Sequence, residues 1–210
     1  MGLNLNDIRA PYHDFRDEKK GIVKYTEQMP LLIADGRSPI TVAQVLGRRL
    51  NSEQTDWKTN YFDTGDAAAY SIDKDKFKIV RSAPFLRDVT PNSRLSSGAL
   101  VLAGGVYESA DGAEFSREDK GLILNRDLTL DEVKVHPVWQ ALAGDQALLD
   151  EYAGRMFAEM KEKHDYDTTM GVYLVGAQKT PTARALIVYG LNYGSQLRSR
   201  NDLGDDDGRL

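Results

Sequence analysis

The stretch DAAAYSIDKDKFKIVRS, residues 66–82, decides the fold class. Two strand-like segments flank Asp73-Lys74-Asp75, and this polar tripeptide is typical of a turn. In the second segment Phe77 and Ile79 alternate with Lys78, which predicts that one face of the segment is buried. The pattern indicates a β-hairpin, and the two strands of a hairpin pair antiparallel.

Apolar runs on both sides of this hairpin predict further strands. The run MPLLIADG (29–36) ends at a glycine and is predicted to be a short buried strand. The runs MGVYLVGA (170–177) and RALIVYGL (184–191) are predicted to be two strands of a second hairpin, joined through QKTPTA. Most of the predicted sheet is therefore built from neighbouring antiparallel strands.

Helical patterns lie between these strands. A long amphipathic helix is predicted at about 145–164, and a shorter helix at about 40–51 with Ser38 or Thr41 as its cap. Further along, Thr129 and Glu132 form a capping-box pattern. The apolar stripe of the long helix consists of Leu148, Leu149, Tyr152, Met156, Phe157 and Met160.

Strands grouped around a few helices, without regular strand–helix–strand alternation, predict an α+β fold with a mainly antiparallel sheet. We expect the long helix to cover one face of that sheet. The predicted organisation is a polar N-terminal arm at 1–21, a single α+β domain at 22–192 and a polar, acidic C-terminal tail at 193–210.

Composition places the chain among ordinary globular proteins and excludes several chemistries. Of its 210 residues, 41% are hydrophobic and 28% are charged, which is not the composition of a disordered chain. It has no cysteine, so disulfides, thiolate metal sites and cysteine nucleophiles are excluded. The N-terminal residues lack the apolar segment of a signal peptide, and no apolar run reaches the ~20 residues of a membrane span. These features predict a soluble, cytoplasmic protein without membrane contact.

The charge of the chain disfavours a dedicated nucleic-acid binder. The net charge is −5, and the last ten residues contribute much of it because they hold four aspartates and one arginine. The remaining chain is near neutral and lacks the broad basic surface expected of such a binder. Arg198 and Arg200 form a short basic cluster, which keeps nucleic-acid contact open as an alternative.

Aromatic residues provide a second candidate feature. Tyr173, Tyr189 and Tyr193 lie in or near the predicted C-terminal strands. Such residues serve either as a platform on which bases or sugars stack, or as packing within the core and between strands. The sequence alone leaves both uses open.

The triplet Asp63-Thr64-Gly65 resembles the active-site loop of aspartic proteases of the retroviral type, in which two aspartates share a proton. Because the chain has one such triplet, the resemblance implies a homodimer with Asp63 as the catalytic residue of each subunit. Asp66 stands where that family has Ala or Ser, and Asn125 stands where it has a glycine after an apolar stretch. Aspartate and glycine are also typical of tight turns, and we interpret residues 63–65 as an acidic turn between two strands.

The functional hypotheses follow from these candidates. The sequence contains no metal cluster, nucleophile triad or phosphate loop, so neither a cofactor nor a metal is predicted. The leading interpretation is a non-catalytic binding or interaction protein, whose partner is an unknown protein or small molecule. The alternatives are a hydrolase, most specifically a homodimeric aspartic peptidase using Asp63, and nucleic-acid contact through a local Arg/Lys patch. Whether the protein is an enzyme and whether it forms homo-oligomers stay open.

Overall fold

The computed structural model describes residues 16–17, 21–22, 24–52, 55–73, 75–175 and 180–204. The helices are α1 (Tyr25–Ala34), α2 (Val42–Asn51), α3 (Thr55–Thr59), α4 (Pro84–Arg87), α5 (Val106–Ser109), α6 (Leu130–Val135), α7 (Pro137–Ala143) and α8 (Gln146–His164). The strands are β1 (Arg16–Asp17), β2 (Gly21–Ile22), β3 (Phe62–Tyr70), β4 (Lys76–Val80), β5 (Leu95–Ser96), β6 (Ala99–Val101), β7 (Ala113–Ser116), β8 (Val172–Tyr173), β9 (Thr182–Val188) and β10 (Leu197–Ser199). Among the described helices, none is both long and apolar enough to cross a bilayer.

The main sheet has eight strands, and its central path runs β5-β6-β9-β3-β4-β7. Strand β10 pairs with β9 and also with β8, and the β8–β10 pair is the parallel one. The predicted β3–β4 hairpin is present, and it places Tyr70 opposite Phe77. The α+β fold, its mainly antiparallel sheet, the long helix α8 and the shorter helix α2 are all confirmed.

Local capping explains where the helices begin. The Thr41 side chain accepts a hydrogen bond from the Gln44 backbone N–H, so α2 starts with a capping box. The Thr129 side chain likewise accepts from the Glu132 backbone N–H, so α6 starts with a capping box as well. Asp145 accepts hydrogen bonds from two backbone N–H groups in the first turn of α8.

Helices pack against the first face of the sheet and against part of the second. On the first face, Ala68, Tyr70, Leu186, Val188 and Leu197 belong to a core shared with α2, α7 and α8. On the second face the sheet contributes small side chains, which pack against Tyr25, Met29 and Leu32 of α1 and Leu86 of α4. These small residues are Ala67, Ala69, Ala183 and Ala185.

The strand predicted at 29–36 is wrong, because residues 29–34 belong to helix α1 and residues 35 and 36 form the turn that follows it. Tyr25, Met29 and Leu32 fall on one helical face, and all three are buried in the second core. The apolar run begins at Met29 and so does not include Tyr25. Without Tyr25, the helical spacing of the buried residues is not visible in the run. A short apolar run is compatible with either structure when its first turn is not recognised.

The second predicted hairpin is also wrong in its pairing. Strand β10 lies between β8 and β9, with Arg198 opposite Tyr173 on one side and opposite Ile187 on the other. Residues 176–179 of the predicted connection lie outside the described residues. Strand β10 comes from the segment assigned to the tail, and Leu203 of that segment is fully buried. The division into arm, domain and tail stays a prediction, and residues 205–210 lie outside the described part.

The turn predicted at Asp63-Thr64-Gly65 is wrong, because all three residues lie within strand β3. The pairing with β9 shifts there, since Asp63 pairs with Ile187 and Ala67 pairs with Ala185. Three residues of β3 therefore face one residue of β9, which makes this segment a bulge. Aspartate and glycine, which are typical of tight turns, here occupy a bulge within a strand.

The bulge anchors two neighbouring segments to the sheet. The Gly65 backbone N–H donates to Ile40 O, and Gly65 O accepts from the Ala83 N–H, both over 2.8 Å. The Asp66 carboxylate accepts from the Val42 N–H over 2.7 Å and from the Ser82 N–H over 2.8 Å. Burial of Asp66 raises the pKa of its carboxyl group, and the two N–H donors oppose that shift.

We expect Asp66→Ala to lower the free energy of unfolding by about 2–4 kcal/mol, because two backbone N–H groups lose their acceptor. Urea denaturation measures this change. The control is Asp111→Ala, which removes an exposed carboxylate and is expected to change stability by less than about 0.5 kcal/mol. Equal stabilities of the two variants would contradict the anchoring role of Asp66.

A pH-dependent contribution to stability is expected from His136, which is buried between α6 and α7. Its Nε2 lies 2.8 Å from Ile123 O and donates to it, since a carbonyl can only accept. Burial lowers the pKa of His136 below its ordinary value of 6.5. The unfolded chain therefore takes up a proton that the folded state resists, so this contribution is present above about pH 6.5 and is lost as the pH falls.

Comparison with His136→Gln measures this contribution. The stability difference between the parent protein and His136→Gln should be smaller at about pH 5.5 than at about pH 7.5. Urea denaturation at both pH values gives the two differences. The exposed His164, replaced in the same way, is the matched control. A His136→Gln difference that does not depend on pH would contradict the buried, neutral state of the imidazole.

Candidate ligand-binding face

The second face of the sheet continues beyond the alanines that α1 covers. Paired residues in a sheet point to the same side, so Tyr173, Ile187 and Arg198 share this face. Tyr189 follows Ile187 by two positions and points the same way. We call Tyr61, Tyr173, Tyr189, Tyr193 and Arg198 the tyrosine–arginine face. These side chains are partly exposed, and Tyr193 is 60% exposed.

Arg198 lies at the centre of the tyrosine–arginine face. Its guanidinium carbon is 4.9 Å from the ring centroid of Tyr173 and 4.9 Å from that of Tyr189. Both distances are within the range of favourable cation–π contacts. Its Nε and Nη2 atoms donate to Gln196 Oε1 over 3.1 Å and 2.6 Å. The guanidinium is thus held in position by two rings and one amide.

Asp127 orients the residues around this arginine. Its Oδ1 accepts from Tyr173 Oη over 3.1 Å and from Gln196 Nε2 over 2.8 Å. Because Gln196 donates to Asp127 with its nitrogen, its oxygen is turned toward Arg198. Partial burial and the nearby Asp127 charge raise the pKa of Tyr173, so its phenol stays protonated and donates.

Ring contacts extend the face from Tyr189. The rings of Tyr61 and Tyr189 are stacked with centroids 5.8 Å apart. The ring of Tyr193 meets Tyr189 edge-on with centroids 6.0 Å apart. Such packing restricts the side chains and leaves their exposed edges in a fixed arrangement.

A cavity of about 250 Å³ opens beside Arg198. Its lining includes two tyrosines, two asparagines, several apolar residues and Arg198, and it contains no acidic residue. The lining residues are Asn125, Tyr173, Leu174, Val175, Ile187, Tyr189, Arg198, Ser199 and Asn201. The described part of the chain has no group of three or more acidic or histidine residues placed to hold a metal ion.

The predicted basic cluster is divided by the structure. Arg198 lies on the partly exposed face, whereas Arg200 is 3% exposed and binds Asp63. Its Nη1 is 2.7 Å from each carboxylate oxygen of Asp63. The guanidinium carbon of Arg200 also lies 6.0 Å from the ring of Tyr25 in α1. The two arginines therefore do not form one basic patch.

Asp63, the residue that the protease resemblance implies to be catalytic, is fully buried in the ion pair with Arg200. The ion pair gives Asp63 a structural role, and its catalytic role stays a prediction. By contrast, the three tyrosines named as a candidate platform come together with Arg198. Sequence reasoning missed Tyr61 and Gln196, whose positions depend on strand pairing. The alternate spacing of Gln196, Arg198 and Arg200 in and beside β10 is the signal in the sequence that points to Gln196.

No family model matches this chain, and no curated protein matches it. A solved structure described as "Accommodation of massive sequence variation in Nanoarchaeota by the C-type lectin fold" superposes with a TM-score of 0.64. The match covers 86% of this chain and 90% of that chain, at 13% sequence identity. Identity this low shows the fold alone, and the chain accordingly has the α+β architecture of the C-type lectin fold.

We expect Asp63→Asn to lower the free energy of unfolding by about 3–5 kcal/mol, because it leaves the buried Arg200 without its carboxylate. Urea denaturation measures the loss. The double variant Asp63→Leu, Arg200→Met removes both charges and should be more stable than Asp63→Asn alone. A stable, folded Asp63→Asn protein that had lost a peptide-cleaving activity of the parent would instead support the peptidase hypothesis.

Proposed function

We propose that this protein is a non-catalytic binding protein that contacts its ligand through the tyrosine–arginine face. The observation that carries this proposal is the gathering of tyrosines around Arg198 on a partly exposed part of the sheet, beside a cavity. Tyrosine and arginine are enriched at the energetic centres of binding interfaces. Tyrosine offers a large contact area and a polar group at a small cost in conformational entropy.

The position of the face on the sheet supports this proposal. Arg198 lies on β10, whose neighbouring residue Leu197 is buried in the first core. The backbone that carries the face is therefore fixed by residues that point the other way. A ligand meets a surface whose main chain is already ordered, which lowers the entropic cost of binding.

The structural neighbour supports a further element of the proposal. The fold of that protein is described as accommodating massive sequence variation. We propose that this chain likewise tolerates exchange of the outward side chains on its tyrosine–arginine face, because the cores do not depend on them. Soluble, cytoplasmic location remains our proposal for the chain, and so does an unidentified partner, either a protein or a small molecule.

The two alternatives have weaker support. A peptidase role for Asp63 requires a carboxylate that reaches substrate, whereas the described Asp63 is buried against Arg200. Nucleic-acid contact through Arg198 and Arg200 requires both cations to face the phosphates, whereas Arg200 is occupied by Asp63. Both alternatives stay predictions with no specific observation in their favour.

The proposal is tested with a phage-displayed library of random peptides selected on the immobilised protein. We expect selected peptides to lose about tenfold or more in affinity when Tyr189→Ala or Arg198→Ala is introduced. The matched control is Tyr166→Ala, another exposed tyrosine, which follows helix α8 on the opposite layer. Circular dichroism should show that all three variants remain folded. Peptides whose affinity is insensitive to Tyr189 and Arg198 would contradict the proposal.

A further inference from the structure

We infer that the cavity beside Arg198 recognises a carboxylate, namely an aspartate or glutamate side chain presented by a protein partner. This inference rests on the proposed binding function and adds the chemistry of the ligand. It depends on the charge around Arg198, the free edge of its guanidinium and the size of the cavity.

Arg198 carries a charge that its described surroundings do not neutralise. No described carboxylate forms an ion pair with it, and the cavity lining contains no acidic residue. Asp127 directs its described hydrogen bonds to Tyr173 and Gln196 rather than to the guanidinium. The two tyrosine rings partly shield Arg198 from water. The electrostatic attraction between Arg198 and a bound carboxylate is therefore stronger than it would be at a fully exposed arginine.

The hydrogen bonds of Arg198 leave one edge of its planar guanidinium group available to a ligand. Gln196 Oε1 accepts from Nε and Nη2, which occupies the side edge of the guanidinium. The end edge, formed by Nη1 and the second N–H of Nη2, has no acceptor among the described residues. A planar carboxylate accepts two parallel N–H bonds from such an edge. Gln196 and Asp127 therefore act as positioning residues for this contact.

The size of the cavity is compatible with one acidic side chain, and the surrounding charge disfavours an extended polyanion. A volume of about 250 Å³, just below the range of about 300–1,000 Å³ for drug-sized ligands, has room for such a side chain. A nucleic acid needs several cations along its phosphates, but Arg200 is held by Asp63 and the chain has a net charge of −5. Tyr173 and Tyr189 line this cavity, and aromatic residues are enriched in protein–protein interfaces.

The inference is tested by NMR titration of the whole protein with four small probes. They are N-acetylglutamate N-methylamide, its glutamine counterpart, inorganic phosphate and thymidine 5′-monophosphate. The Arg198 Nε–Hε resonance reports contact with the guanidinium. We expect the glutamate probe to shift this resonance with a dissociation constant in the millimolar range, about tenfold lower than that of the glutamine probe.

Three variants distinguish specific recognition of a carboxylate by Arg198 from nonspecific attraction to positive charge. Arg198→Gln should abolish the preference for glutamate over glutamine, monitored through the backbone amides of β8 and β10. Arg198→Lys keeps the charge without the planar fork and should weaken glutamate binding several-fold. Arg94→Gln, at an exposed arginine, should leave binding unchanged. The dispersion of the amide resonances shows whether each variant is folded.

Equal binding of the glutamate and glutamine probes would overturn the inference, and so would stronger binding of phosphate or the nucleotide. The absence of any probe-induced shift would also overturn it. These outcomes are distinguishable from failure of the proposed function, because the phage selection reports whether Tyr189 and Arg198 contact a ligand of any chemistry. If selected peptides depend on the face but not on an acidic residue, the binding function stands and the carboxylate inference falls.

Discussion

The buried ion pair between Asp63 and Arg200 sets the arrangement of the second sheet face. It joins the start of β3 to the residue that follows β10, where the Arg200 N–H also donates to Ala185 O. A buried pair adds little net stability compared with apolar residues of the same size, because both charges lose their hydration. Its main effect is positional: Arg200 is buried against Tyr25 of α1, whereas Arg198, two residues earlier, is partly exposed.

Two further buried arginines hold the fold together at a distance in sequence. Arg49 donates to Trp57 O, Asn60 O, Tyr152 Oη and Ser195 Oγ over 2.8–3.1 Å, and so links α2 to the segment around α3, to α8 and to the turn before β10. Arg184 donates to Arg200 O over 2.9 Å and to Ser97 O over 2.6 Å. In a chain without cysteine, these guanidinium groups connect loops as disulfides do elsewhere, and they satisfy buried carbonyl groups at the same time.

Local signals in the sequence predicted local structure well. Helix α8, helix α2 and the β3–β4 hairpin follow from apolar periodicity, capping residues and a polar turn, all of which act between neighbours in the chain. The errors concern pairing at long range. Nothing near Leu197 indicates that β10 enters between β8 and β9. The tyrosines and Arg198 were recognised one by one, but their assembly into a face depends on that insertion. Asp63 was singled out for its neighbours Thr64 and Gly65, whereas its partner is 137 positions away.

The strict alternation along β10 has a consequence for how this surface changes over time. Leu197 enters the first core and Arg198 lies on the opposite side, so neighbouring positions serve two unrelated purposes. Replacing one outward residue alters the surface and leaves the interior intact. Inserting or deleting a single residue within the strand, without a bulge such as that of β3 to absorb it, would exchange the two sides, sending a guanidinium into the core and a leucine into water. The surface therefore accepts point substitution more readily than changes of length, and its diversification in a lineage would proceed mainly by substitution at alternate codons.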